Sequence, residues 1–101
     1  MPLIPPGQNL FVVDLHYLVP LDQVEPQIKP HLDFLEEHYA SGCFIASGAK
    51  VPRTGGVIIA TAKSRTVLES LLEADPFKQH GLAQYTITEF RPARTASQLA
   101  N

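Results

Sequence analysis

Two strand-like runs sit too close together in the chain to be joined by anything but a hairpin. Cys43-Phe44-Ile45-Ala46-Ser47-Gly48 is followed by Gly56-Val57-Ile58-Ile59-Ala60-Thr61-Ala62, the second rich in β-branched side chains. Little more than Lys50-Val51-Pro52-Arg53-Thr54-Gly55 separates them. A crossover between parallel strands needs about a dozen residues or more, so these two must run antiparallel.

Each side of this hairpin repeats one pattern, a helix and then a strand. Upstream, Ile28, Leu32, Leu35 and Tyr39 fall within a sector about 60° wide at 100° per residue, the apolar stripe of a helix lying on a sheet. His31 and His38 lie just off that stripe, and Gly42 is placed to stop the helix. Before it, Leu21 to Pro26 forms a first helical turn or a short separate one, because Pro26 and Pro30 lack the donor a helix interior needs. Leu10 to Val19 alternates Phe11, Val13, Leu15 and Tyr17 against Val12, Asp14, His16 and Leu18, which predicts a strand ended by Pro20.

Downstream, Ser64 caps a predicted helix from Arg65 to Ala74 that buries Val67, Leu68, Leu71 and Leu72. Pro76 disfavours helical geometry at Asp75, so the chain should turn there, with Phe77 pointing inward and Lys78 to Gly81 leading to a last strand. That strand, Ala83 to Arg91, alternates Tyr85, Ile87 and Glu89 against Gln84, Thr86, Thr88 and Phe90 and shows no obvious catalytic group. Residues 1–9 read as an irregular, proline-rich lead-in, and 92–101 as a tail that frays unless a partner surface receives it.

The resulting order, strand-helix-strand-strand-helix-strand, is an α+β ferredoxin-like domain over residues 10–91, with an antiparallel four-stranded sheet and both helices on one face. Right-handed crossovers predict the spatial order fourth, first, third, second. The opposite face, with Leu10, Val12 and Leu18, then lacks cover. A chain of 101 residues buries roughly 60–68% of its unfolded surface, a narrow margin that favours pairing into a homodimer.

Charge and composition exclude several classes. The formal charge is −2, and no window holds the like-charge run of a nucleic-acid arm. Cys43 is the single cysteine, and no zinc-ligand spacing is present, so no disulfide, metal or cofactor is expected. Neither a secretory signal nor an apolar run approaching about 18 residues is found, which predicts a cytoplasmic protein without membrane attachment.

His31 is the first candidate for proton chemistry. Asp14 and His16 share a strand face about 7 Å apart, either as a second polar pair or as a half-solvated or interface-lining surface. Lys50 and Arg53 lie beside Ser47 and Gly48, where an anionic small molecule could be received, although basic side chains in exposed loops are commonly just solvated. His38 is expected on a partly exposed helix flank and His80 in a solvated turn. Cys43 and Ser47 lack an activating neighbour in sequence, which disfavours a covalent intermediate.

Three segments carry a resemblance: Lys29-Pro30-His31-Leu32-Asp33-Phe34-Leu35, Ala46 to Gly56, and Ala74-Asp75-Pro76-Phe77. Together they resemble the YciI-like (YCII-related) family over nearly all of residues 10–91. The resemblance implies a dimeric α/β barrel, two sheets packed face to face, and it implies His31 and Asp75 as an active-site pair. It also points to relatives of muconolactone-isomerase or dehydrochlorinating type acting on small aromatic-derived compounds. Where the family often has an arginine near the histidine, this chain has Lys29, which lacks the bidentate fork.

A carboxylate bonded to one imidazole nitrogen fixes the tautomer and frees the other nitrogen to move a proton, which suits isomerisation or elimination. Two readings therefore stand: an isomerase or lyase in which His31 and Asp75 act with Asp14 and Ser47 as polar contacts, or a non-catalytic metabolite- or protein-binding module in which the pair is structural.

Overall fold

Alternation along the first strand decides which face of the sheet carries the core. In the computed structural model, which describes residues 3–100, β1 spans Asn9–Tyr17 and buries Phe11, Val13 and Leu15, while Asp14 and His16 point the other way. Met1, Pro2 and Asn101, parts of the expected lead-in and tail, lie outside the described residues. The chain continues through α1 (Leu21–Val24), a 3-10 turn (Glu25–Gln27), α2 (Ile28–Ala40), β2 (Phe44–Ala49), β3 (Gly55–Ala62), α3 (Arg65–Leu72), α4 (Pro76–Gln79) and β4 (Ala83–Phe90). The sheet order is β2-β3-β1-β4, antiparallel throughout, which is the order that right-handed crossovers predict.

Register carries the core across the sheet. Phe11 and Val13 pair with Ala60 and Ile58 of β3, and Val13 and Leu15 pair with Ile87 and Tyr85 of β4. Leu68 and Leu72 of α3, Phe34 and Leu35 of α2, Val24 and Phe77 close this layer from the helix side. Ser64 caps α3 by accepting from the Val67 amide at 3.2 Å, and Gly42 ends α2 at a positive φ of 85°.

Val67 of α3, expected inside, is 48% exposed, and three further local features depart from the sequence pattern. The buried stripe of α2 is centred on Phe34 and Leu35, and Leu32, expected inside, is 51% exposed. The helix is rolled so that Phe34 and His38 pack on Phe44 of β2, with ring centroids 5.8 and 5.2 Å away; burying the larger aromatic surface outweighs burying Leu32. His38 is thus half-buried, and its Nδ1 is enclosed with no hydrogen-bond partner among the described residues.

The second departure is a bulge in β2 between Phe44 and Ala46. Phe44 pairs with Ala60 and Ser47 with Ile58, so both stand on the helix face, three residues apart. Simple alternation would have sent Ser47 to the opposite face. The third is the tail: the Ile4 amide donates to the Leu99 carbonyl at 2.8 Å, so the lead-in receives it. Leu10 pairs with Phe90 at the end of the sheet from which both segments leave, and it is already buried in the single chain, contrary to the expectation that it needed a partner. Val12 stays half-buried on the far face and Leu18 is exposed.

Candidate active site

The corner at Asp75 is built by proline chemistry. Helix α3 stops at Leu72, Asp75 takes an extended conformation, and Pro76 opens α4, where its missing N–H leaves no unpaired donor. Asp75 caps this short helix by accepting from the Phe77 amide at 3.0 Å through Oδ1. The same Oδ1 accepts from His31 Nδ1 at 2.7 Å, and Oδ2 accepts from the Tyr85 hydroxyl on β4. The carboxylate is fully buried, and the three donors supply what burial of a charge requires.

Those donors also fix the histidine. The Tyr85 phenol is pushed well above its ordinary range, first by burial, then by the Asp75 charge and the bond to it, so it keeps its proton and donates. Facing a carboxylate oxygen, His31 Nδ1 must carry the ring proton, which leaves the Nε2 lone pair free in the neutral imidazole. The ring lies flat on Phe77, with centroids 3.8 Å apart and planes 3° from parallel. Stacking and hydrogen bond together leave it little rotational freedom.

Beyond the ring lies a cleft of about 200 Å³ between α2 and the sheet. Ile28, Leu35, Leu15, Ile58 and Phe77 make its apolar walls, and His31, Ser47 and Arg53 supply polar groups. Among the described residues the side-chain hydrogen bond of His31 runs through Nδ1, and the side chain keeps 12% of its surface open. An apolar cavity of about 150 Å³ is enough to hold a benzene ring, so a single six-membered ring fits here.

A family model for the YCII-related domain matches residues 10–91. The chain belongs to the YCII-related family. Among solved structures, this YCII-related chain is similar to 5-chloro-2-hydroxyhydroquinone dehydrochlorinase from Burkholderia phenoliruptrix AC1100, determined in complex with 2,5-dihydroxybenzoquinone. The TM-score is 0.71 at 24% identity, covering 81% of this chain and 93% of that one, a likeness of fold. No curated protein matches the chain.

The YCII-related fold brings some of the predicted residues together and separates others. His31, Ser47, Gly48 and Arg53 line the cleft, with Asp75 directly behind His31. Asp14, His16 and Lys50 are absent from it: alternation along β1 points Asp14 and His16 to the far face, where Lys50 Nζ binds Asp14 Oδ1 at 2.7 Å. Asp14 thus pairs with the lysine and not with His16. Tyr85 went unrecognised in the sequence, although an inward-facing tyrosine on an alternating strand signals that its hydroxyl needs a buried partner.

A nucleophilic role for Cys43 finds less support. Burial pushes the Cys43 thiol up, which keeps it protonated and a poor nucleophile. Among the described residues no group of three or more His, Cys, Asp or Glu side chains could hold a metal ion. No described helix is long and apolar enough to cross a membrane.

Proposed function

We propose that this protein is an acid/base enzyme of lyase or isomerase type, acting on small flat molecules held in the cleft, with His31 Nε2 as the proton-transfer atom. The observation that carries this reading is the ring of His31 in the lining of the cleft, with its Nδ1 held by Asp75 and its face on Phe77, so that Nε2 is the ring nitrogen left to meet a ligand. Nε2 takes a proton from an O–H, or from a C–H beside a carbonyl. The electron pair left behind either expels a leaving group such as halide or is reprotonated by the imidazolium at another carbon. Asp75 holds the ring in place and balances the positive charge while it lasts, and Tyr85 holds the second oxygen of Asp75. Dehydrochlorination by the structural neighbour, and its bound dihydroxybenzoquinone, support a ring-sized substrate of this kind.

His31→Ala is expected to lower turnover of 5-chloro-2-hydroxyhydroquinone or related small rings by about 10²–10⁴-fold, the range of a lost general base. A variant that melts earlier but keeps its turnover would assign the pair to structure alone.

The working unit of this reading is a homodimer joined through the sheet face that no helix covers, where Val12, Val57 and Ile59 are half-buried and Phe90 is exposed. Sedimentation at micromolar concentration is expected to give twice the 11.1 kDa chain mass. A species of the chain mass itself would contradict the pairing.

A further inference from the structure

Two chemically different groups of elements line the cleft. His31 on α2 and Phe77 on α4 form one; the hairpin, with Ser47 on β2 and Arg53 in its loop, forms the other. Resting on the reading that the ligand occupies this cleft, we infer that it selects planar molecules carrying an ionised oxygen, bound at the hairpin by Arg53 and Ser47.

Charge bookkeeping around the cleft supports this. Nearby lysines already have partners: Lys29 Nζ is 3.2 Å from Asp33 on the solvent side of α2, and Lys50 Nζ is 2.7 Å from Asp14 on the far face. Arg53 has no acidic partner among the described residues, and none of the cleft-lining residues is a carboxylate. Lys29 is not among the lining residues. The cationic group offered to a ligand is therefore the guanidinium of Arg53, whose forked donors suit a carboxylate or phenolate oxygen.

The hydroxyls point the same way. Tyr39 and Ser47 are joined at 2.6 Å, a contact that takes one of their two protons. When the phenol donates, the Ser47 hydroxyl proton is free to turn into the cleft. It is the β2 bulge that sets Ser47 on this face. The hairpin thus supplies donors, the walls are apolar, and α2 supplies a base. A flat anion anchored by its oxygen at the hairpin lays its opposite edge toward Nε2.

Matched probes test this on the 101-residue chain by NMR titration: benzoate against benzamide for a carboxylate, and 2,4-dinitrophenolate against 2,4-dinitroanisole for a phenolate. The charged member of at least one pair is expected to bind about tenfold more tightly, an advantage that shrinks as salt is raised. Arg53→Gln should abolish that preference while neutral-probe binding is kept, and the pair that responds identifies the oxygen recognised. Equal binding of charged and neutral members, with His31 signals still moving, would overturn the charge selection and leave the proton-transfer reading standing. A preference that survives Arg53→Gln, or no binding by any probe, would also overturn it.

Discussion

Asp75→Ala is expected to destabilise the protein by about 3–5 kcal/mol, because it removes the shared acceptor of a buried network. Three donors, the His31 ring, the Phe77 amide and the Tyr85 hydroxyl, would be left facing a void, and α4 would lose its cap. For a domain of this size that loss corresponds to a melting temperature lower by more than about 10 °C, readable by circular dichroism.

Asp75→Asn separates stability from chemistry. The Phe77 amide donates to the same oxygen as His31, so the amide must place its carbonyl there and its NH2 toward Tyr85, whose hydroxyl can turn to accept. The fold and the histidine tautomer then survive, while the negative charge behind the imidazolium is lost. A neutral acceptor is roughly half as strong as a charged one, so turnover should fall at least about tenfold with little change in melting. An Asn variant as active as the parent would remove Asp75 from the chemistry.

The second large effect is purely structural. Gly55→Ala would put a Cβ 1.8 Å from the Leu15 carbonyl oxygen and 2.8 Å from its carbon, and these are backbone atoms of the central strand. Neither can move without shifting β1 against β3, where Gly55 pairs with His16. A loss of at least about 3 kcal/mol is expected, seen as an earlier thermal transition. Gly48→Ala is the control: its Cβ would meet nothing within 4 Å, and it should melt close to the parent. Similar melting of the two variants would contradict the close packing at the start of β3.

Much of the frame was legible in the residues because it rests on local rules. The short hairpin spacer, the alternation in β1 and the proline at the Asp75 corner each have a single easy solution, and the element order they help to set gives the sheet order once crossovers are right-handed. Legibility fails where tertiary packing arbitrates between near-equal options. Leu32 and Phe34 both suit a helix face, and the match of Phe34 to Phe44 decides between them. The bulge that turns Ser47 inward leaves no trace in the composition of β2, and a period-2 reading misplaces everything beyond it.

For the site, His31 and Asp75 lie 44 residues apart, and no spacing rule joins them; family resemblance named the pair, and the fold sets them at 2.7 Å. Tyr85 completes the network from a strand whose pattern marked it as inward-facing without showing what it would meet. Asp14 and His16 stand out for sharing a strand face and Lys50 for its place on the hairpin beside Ser47; the face of β1 was legible, whereas the pairing of Lys50 with Asp14, away from the cleft, joins residues 36 apart that no spacing rule connects.

The central claim is that His31 offers a free Nε2 lone pair to the cleft because Asp75 holds its Nδ1 proton. Nitrogen-15 NMR of the histidine rings reads this without any substrate. With the imidazole neutral, His31 should show a protonated Nδ1 and an unprotonated Nε2, and the Nε2 signal should move when a ring-sized ligand such as 2,5-dihydroxybenzoquinone enters. A neutral His31 protonated at Nε2 would contradict the account, since the atom facing the cleft would then have no lone pair with which to take a proton.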